Sequence, residues 1–280
     1  MPGNALAIET GRRSHASLVF AKGGGRTFLN SQRVPYPFHI TRPFWLDAAC
    51  PDLATLYLQS ASGGVYRGDH LRLSVEAKAG ARAHVTTQSS SVVHDTGASP
   101  ARQDTSMVVA PAAFLALTPD PLILFPGAAL TSALTITINA TSRAIVTEGF
   151  ACHDPSAAGR AFQDLELLLT IVRDGEVIVR ERSRVSGEDV FSKTSPLGPY
   201  RAYASMIILA PREAWPDALE LQRAFDAEGC LAGASTLQGG AGLCLRCLAP
   251  DGGALRDGLK VGFDVAFAAL AGATPARRRK

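Results

Sequence analysis

From Leu18 to about Leu209 the chain is written in short segments of two-residue period, each closed by Gly, Pro, Asn or Asp. Such alternation sets one face of an extended strand against a core and the other toward water. Leu71-Arg72-Leu73-Ser74-Val75 and Leu134-Thr135-Ile136-Thr137-Ile138 show it most cleanly; Ala81–Thr87, Met107–Val109 and Ala144–Thr147 are weaker examples. Leu165–Arg173 and Glu176–Arg182 flank Asp174-Gly175, a dipeptide that supplies the positive φ angles of a tight type I′ turn. Strands this numerous, with no helical period between them, exclude a βαβ fold and predict stacked antiparallel or coiled sheets. The expected fold class is mainly β, with many-stranded stacked or β-helix-like sheets and about two α-helices near the C-terminus.

Those helices come late. Asp217 is placed to cap a helix with Glu220 three residues on; Ala218, Leu221, Ala224 and Phe225 then share one face, and Gly229 ends it. A second helix is predicted to begin near Gly253 and run through Leu255 and Leu259, weakened by Gly258 and Gly262. Between them Gly242–Leu248 reads as a strand. The expected organisation is a mobile N-terminal arm (1–17), a β-rich body (18–210), an α+β part packed on that body (211–272) and a basic tail (273–280). The sequence shows no repeat of fixed period.

Of the 280 residues 46% are hydrophobic, enough for a core, which excludes disorder for the body of the chain. The net charge of +3 includes the four positive charges of Arg277, Arg278, Arg279 and Lys280, leaving the remainder at −1. A nucleic-acid binder spreads basic residues over a face or along a helix, so no nucleic-acid partner is expected. No stretch reaches the apolar length of a membrane span, and Glu9 interrupts the only leader-like run, Ala5–Ile8. Five cysteines at irregular spacing do not make a disulfide framework. A soluble, cytoplasmic protein is expected.

Candidate chemistry is sparse. Cys244 and Cys247 form a CxxC, but residues three apart on a strand point to opposite faces and cannot chelate one ion. Cys152-His153-Asp154 places thiol, imidazole and carboxylate in one loop, a set able to hold Ni²⁺ or Zn²⁺ transiently. His84 and the pair His94-Asp95 allow a base-and-orienter reading, hence a metal-dependent hydrolase. Against it, the sequence carries no Gly-x-Ser-x-Gly elbow, HExxH or P-loop. Gly23-Gly24-Gly25 lacks the strand–helix context of a phosphate cradle and reads as a turn. Two stretches remain: the turn-rich Ser60–Asp69, and Gly80–Ser91, a polar run in strand-like sequence whose hydroxyls suit either a buried seam or a wet channel.

In this order, those two stretches resemble the urease accessory protein UreD (UreH) family. The family pattern S-P-S-G-G-L-x-x-G-D is matched by Ser60, Ser62, Gly63, Gly64, Gly68 and Asp69, and G-A-x-x-x-x-T-T-Q by Gly80, Thr86, Thr87 and Gln88. Pro119–Phe125 is similar to the family's P-x-P-x-I-P-F, Cys152 with Gly159 and Arg160 to its C-x-G-R region, and Arg246–Pro250 to its late R-x-L strand. The chain departs from the pattern at Ala61, at Val92 (commonly Lys) and near Ala116 (commonly acidic), which marks a divergent branch or a second copy. The resemblance implies a non-enzymatic scaffold that binds apo-urease and the UreF and UreG proteins and helps deliver nickel, with no tightly bound cofactor. A water-filled passage is the family's proposed nickel route. Thr86–Ser91 are candidates for lining it, and His84, His94, Asp95, Cys152, His153 and Asp154 are candidate transient nickel contacts. A docking protein that nickel never touches is the other reading.

Overall fold

The strand segments named from the sequence all fall on strands of the computed structural model, which describes residues 11–277 and adds further strands between them. β1 (Arg13–Gly23) and β2 (Arg26–Arg33) form a hairpin across the triple glycine, and the short β3 (Phe38–Ile40) follows. The chain then coils through β4 (Ala54–Ser60), β5 (His70–Ala77), β6 (Arg82–Thr87), β7 (Val92–Val93), β8 (Ala101–Val109) and β9 (Phe114–Thr118). It continues through β10 (Leu122–Leu124), β11 (Ala129–Ile138), β12 (Arg143–Cys152), β13 (Asp164–Arg173) and β14 (Glu176–Ser186). After the one-turn α1 (Gly187–Phe191) come β15 (Ala202–Leu209), α2 (Ala218–Ala227), β16 (Leu231–Thr236), β17 (Gly242–Ala249) and α3 (Gly252–Ala271). The Asp174-Gly175 hairpin and both late helices match expectation. α1 has no periodic signal, because it is a five-residue turn capped by the Ser186 side chain.

Successive strands of the coil alternate between two sheets. One has the order β14-β13-β11-β8-β5-β1-β2; the main path of the other is β16-β17-β15-β12-β9-β6-β4-β3. From turn to turn the pairing is parallel, with Ala54 opposite Ala83, Arg82 opposite Phe114 and Phe114 opposite Arg143. In the facing sheet Ala101 lies opposite Leu130 and Ala129 opposite Asp164, so each turn advances the chain by 29–35 residues. The repeat that the sequence does not show is therefore present in the backbone. Ladder bonds join main-chain groups, so a turn needs only suitable residues at its inward places, and their identity is free to drift. Of the arrangements expected, the coil is the one formed. Strand β1 begins at Arg13, inside the span expected to be an arm; residues 1–10 and the tail's 278–280 lie outside the described residues.

Two cores result. Between the sheets pack Leu18, Phe20, Leu56, Val75, Met107 and Ile136. On the other side of the second sheet, Met206, Ile208 and Leu245 meet Leu221, Phe225, Phe263 and Phe267 of the helices. Cys244 faces the first core and Cys247 the second, as strand alternation requires. Asp251 caps α3 by accepting from the Gly253 and Ala254 N–H groups. At its other end the Leu270 and Ala271 carbonyls accept from Arg143 (2.6 Å) and Arg82 (3.4 Å), cations placed where the helix dipole is negative. Among the described residues no helix is long and apolar enough to cross a membrane.

Gly258 and Gly262, which local propensity marks as weak points of α3, are the seat of Phe225. A Cβ at Gly262 would stand 2.1 Å from the Phe225 ring, and one at Gly258 2.8 Å from Cys230 Sγ. Propensity favours Gly262→Ala by about 1 kcal/mol, whereas overpacking a filled core costs about 1–3 kcal/mol. The ring is fully buried and has nowhere to retreat, so the clash wins. Gly262→Ala should lower stability by about 1–2 kcal/mol in urea unfolding; an increase would show that Phe225 moves freely.

Candidate functional site: a cavity between the sheets

The first of the two motifs is a knot that ties the chain's beginning to the coil. Asp69 is 2% exposed, and its carboxylate accepts from the backbone N–H groups of Arg12 (3.0 Å) and Tyr66 (2.8 Å) and from the Arg12 guanidinium. Burial alone would raise the Asp69 carboxyl, but these bonds outweigh it and hold its pKa below the ordinary carboxylate value. The guanidinium also donates to Gly64 O (3.0 Å) and lies over the Tyr36 and Tyr66 rings. Ser62 Oγ donates to the same carbonyl at 3.1 Å, and Ser60 Oγ lies 3.1 Å from Ser62 Oγ. Position 64 requires glycine: its φ is +146°, and a Cβ there would stand 2.3 Å from Val92 O.

Behind this loop a cavity of about 590 Å³ opens between the sheets. Gly63 and Gly64 of the first motif and Thr86, Thr87 and Gln88 of the second line it, as does the Ser89–Ser91 run. The Gln59 amide donates to Gln88, and the Asp120 N–H donates to Thr87 Oγ1 at 2.8 Å, which fixes that wall. Farther in, ladder register sets Leu71, Gln103, Ser132 and Leu167 in one transverse row of the first sheet. In the second sheet Glu148 and Ser205 stand opposite one another on β12 and β15. Gln103, Ser132 and Glu148 take inward places that a fully packed coil would fill with apolar groups, and the space stays open around them.

Glu148 is the ionisable group at the deep end. Burial, with the nearby charge of Glu181 adding to it, raises its pKa from the ordinary 4.5 to about 7, against the opposing hydrogen bond with Ser205. Sequence reading stopped one residue short of it, at Thr147. The signal was present: Glu148 is in phase with Ala144 and Val146, both of which face the intersheet core. A carboxylate at an inward strand position is rare unless it is paired or used.

The other residues singled out in the sequence lie elsewhere. His84 sits between the inward Ala83 and Val85, so alternation turns it to the helix side, where its ring stacks on Phe263 (4.7 Å between centroids) and Nε2 meets Thr118 Oγ1 at 2.6 Å. His94 stacks on Tyr66 at 4.4 Å, and Asp95 accepts from the Gly97 N–H at 2.8 Å. Asp154 holds its own loop, accepting from Arg160 and from the Ser156 and Ala158 N–H groups; the Arg160 bond foremost keeps its carboxyl well below the usual range. Burial pushes the Cys152 thiol up to about 12, and the His153 ring lies against Phe125. Gly80 turns the chain between β5 and β6, with its N–H on Pro111 O; Gly68 packs against Gly11. None of the six candidate nickel contacts lines the cavity. Among the described residues no three His, Cys, Asp or Glu side chains gather as a metal-holding group, so His84, His94 and Asp95 do not assemble the site a hydrolase would need.

The geometry defines a class: a two-sheet β-solenoid with an internal cavity of mixed apolar and polar lining. The model of the UreD urease accessory protein family matches residues 12–280. Over 282 residues the chain is 56% identical to urease accessory protein UreD 1 of Methylorubrum extorquens (strain PA1), covering 100% of this chain and 96% of that one. It is 45% identical over 280 residues to UreD 3 of Bradyrhizobium sp. (strain ORS 278), and 28% over 282 residues to UreD 1 of Pseudomonas syringae pv. syringae (strain B728a). These alignments cover 100% and 99% of this chain, and 99% and 98% of the two relatives. The chain belongs to the UreD urease accessory protein family, and its role lies in urease maturation.

Two carboxylates with opposite shifts give opposite pH signatures. The Asp69 contribution is present above the ordinary carboxylate pKa and is lost as pH falls through its lowered folded value. Asp69→Asn should cost about 3 kcal/mol in urea unfolding at neutral pH, and the difference from the unmodified chain should shrink on acidification. Glu148 behaves inversely: its burial lowers stability progressively as pH rises from about 4.5 to about 7. Glu148→Gln keeps the Ser205 bond and should raise the melting temperature by about 2–5 °C at pH 8 while leaving it unchanged near pH 4. Destabilisation at pH 8 would contradict this assignment.

Proposed function

We propose that the chain is a non-catalytic maturation scaffold that binds apo-urease and the UreF and UreG accessory proteins and passes nickel toward the urease active site. Its membership of the UreD family supports the urease connection. The observation that carries the nickel step is the cavity, whose largely apolar wall carries a hydroxyl- and amide-bearing stretch at Thr86–Ser91 and, farther in, the desolvated carboxylate of Glu148. A conduit must attract its ion without retaining it, and that calls for weak, spaced ligation. A carboxylate with a pKa of about 7 suits both needs, since at neutral pH it attracts a cation when ionised and releases it when protonated. Nickel is cargo in this reading, and no tightly bound cofactor is proposed. The sequence has no P-loop, so GTP hydrolysis falls to a partner. The place of action is the cytoplasm, where apo-urease is assembled.

The test is co-expression of the tagged chain with the urease subunits, UreF and UreG, followed by nickel analysis and urease assay. Glu148→Gln should co-purify normally with its partners while nickel per urease site and activity fall by roughly tenfold. For the unmodified chain, transfer in the purified complex should weaken as pH falls through about 7, and the variant should show no such slope. Undiminished activation by the variant would mean that nickel does not pass Glu148, and would favour the docking reading.

A further inference from the structure

The cavity has a second end. Glu148 and Leu167 line both the large cavity and a smaller chamber of about 10 Å³, room for about one water molecule. Register carries the Glu148 row outward through the second sheet: Glu148 opposite Ser205, and Ser205 opposite Arg246. In the facing sheet Leu169 lies opposite Glu181, so inward groups of β14, the edge of the first sheet, and of β17, one strand in from the edge of the second, line the chamber together. There Arg246 Nη2 donates to both carboxylate oxygens of Glu181, at 2.7 and 2.6 Å. The Arg246 side chain is 53% exposed and that of Glu181 32%, so the pair stands at the surface with the chamber behind it.

We infer that the Arg246–Glu181 ion pair is the gate of a second opening, through which the chamber and the intersheet cavity reach solvent between β14 and β17. An exposed pair contributes little to stability, so it separates at small cost. Its charges also suit a cation route. With Arg246 in place a cation in the chamber meets a positive group, and with Arg246 swung out it meets the carboxylates of Glu148 and Glu181. The inference rests on reading the cavity as a route for nickel, but its test needs neither nickel nor urease.

Cys244 is the reporter. It lines the chamber, whereas Cys247, three residues on in the same strand, faces the helix-side core. Opening the gate exposes Cys244 alone; unfolding exposes both. The full chain is treated with methyl methanethiosulfonate at alkaline pH, and modification is read cysteine by cysteine by mass spectrometry. Arg246→Gln removes a cation that favours the Cys244 thiolate and so should slow its reaction unless access opens, which makes it the deciding variant. It and Glu181→Gln should each speed Cys244 modification by roughly threefold or more, with Cys247 unchanged. In the unmodified chain, raising salt from about 0.1 M to about 1 M should act in the same direction by screening the pair. If Cys244 stays as slow in both variants and at high salt, or rises only together with Cys247, the gate is overturned. That result would leave the cavity's role standing, since only the Glu148→Gln experiment bears on it.

Discussion

Each strand of the coil finds its hydrogen-bond partner about one turn away along the chain, and the rest of the structure depends on that constraint. Because main-chain groups satisfy one another strand to strand, inward side chains are not needed to complete the backbone's bonding. Register then stacks them in transverse rows, so that a polar residue on one strand meets one on the next. Gln103 and Ser132 meet in this way on the first sheet, and Glu148 and Ser205 on the second. The same ladder leaves the second sheet with an outward apolar face, which α2 and α3 cover. The glycine seat of Phe225 and the arginine contacts at the end of α3 hold that cover in place.

Asp69 and Glu148 show how one side chain chemistry serves two ends in one fold. Both are drawn out of bulk water. Asp69 receives a guanidinium and two backbone N–H groups, so it stays ionised and binds the N-terminal strand to the coil. Glu148 receives a serine hydroxyl and the repulsion of a second glutamate, so its ionised form is costly at neutral pH. A protein selected for stability alone would place an apolar group at position 148.

Local physics made much of this legible. The Asp174-Gly175 turn, the Asp217 cap and the phase of β5 and β11 depend on neighbours in sequence, and all are as expected. The strand argument against a chelating CxxC also holds, because alternation is a local rule. The same rule applied to Ala83-His84-Val85 would have turned His84 away from the intersheet space, and applied through Glu148 it would have found the buried carboxylate. Cys152–Asp154 drew attention by composition, yet Asp154 serves its own loop. Adjacency in sequence is weak evidence of convergence in space.

By itself the sequence determined the strands, their inward faces, the turns between them and the family, because these rest on short-range periodicity and on two contiguous motifs. Only the tertiary structure decided that the strands coil in parallel, that polar inward residues from separate turns align, and that Glu148, Glu181 and Arg246 line one small chamber. Those relations depend on register between strands 29–35 residues apart. A backbone ladder records that register without requiring any particular side chain to show it.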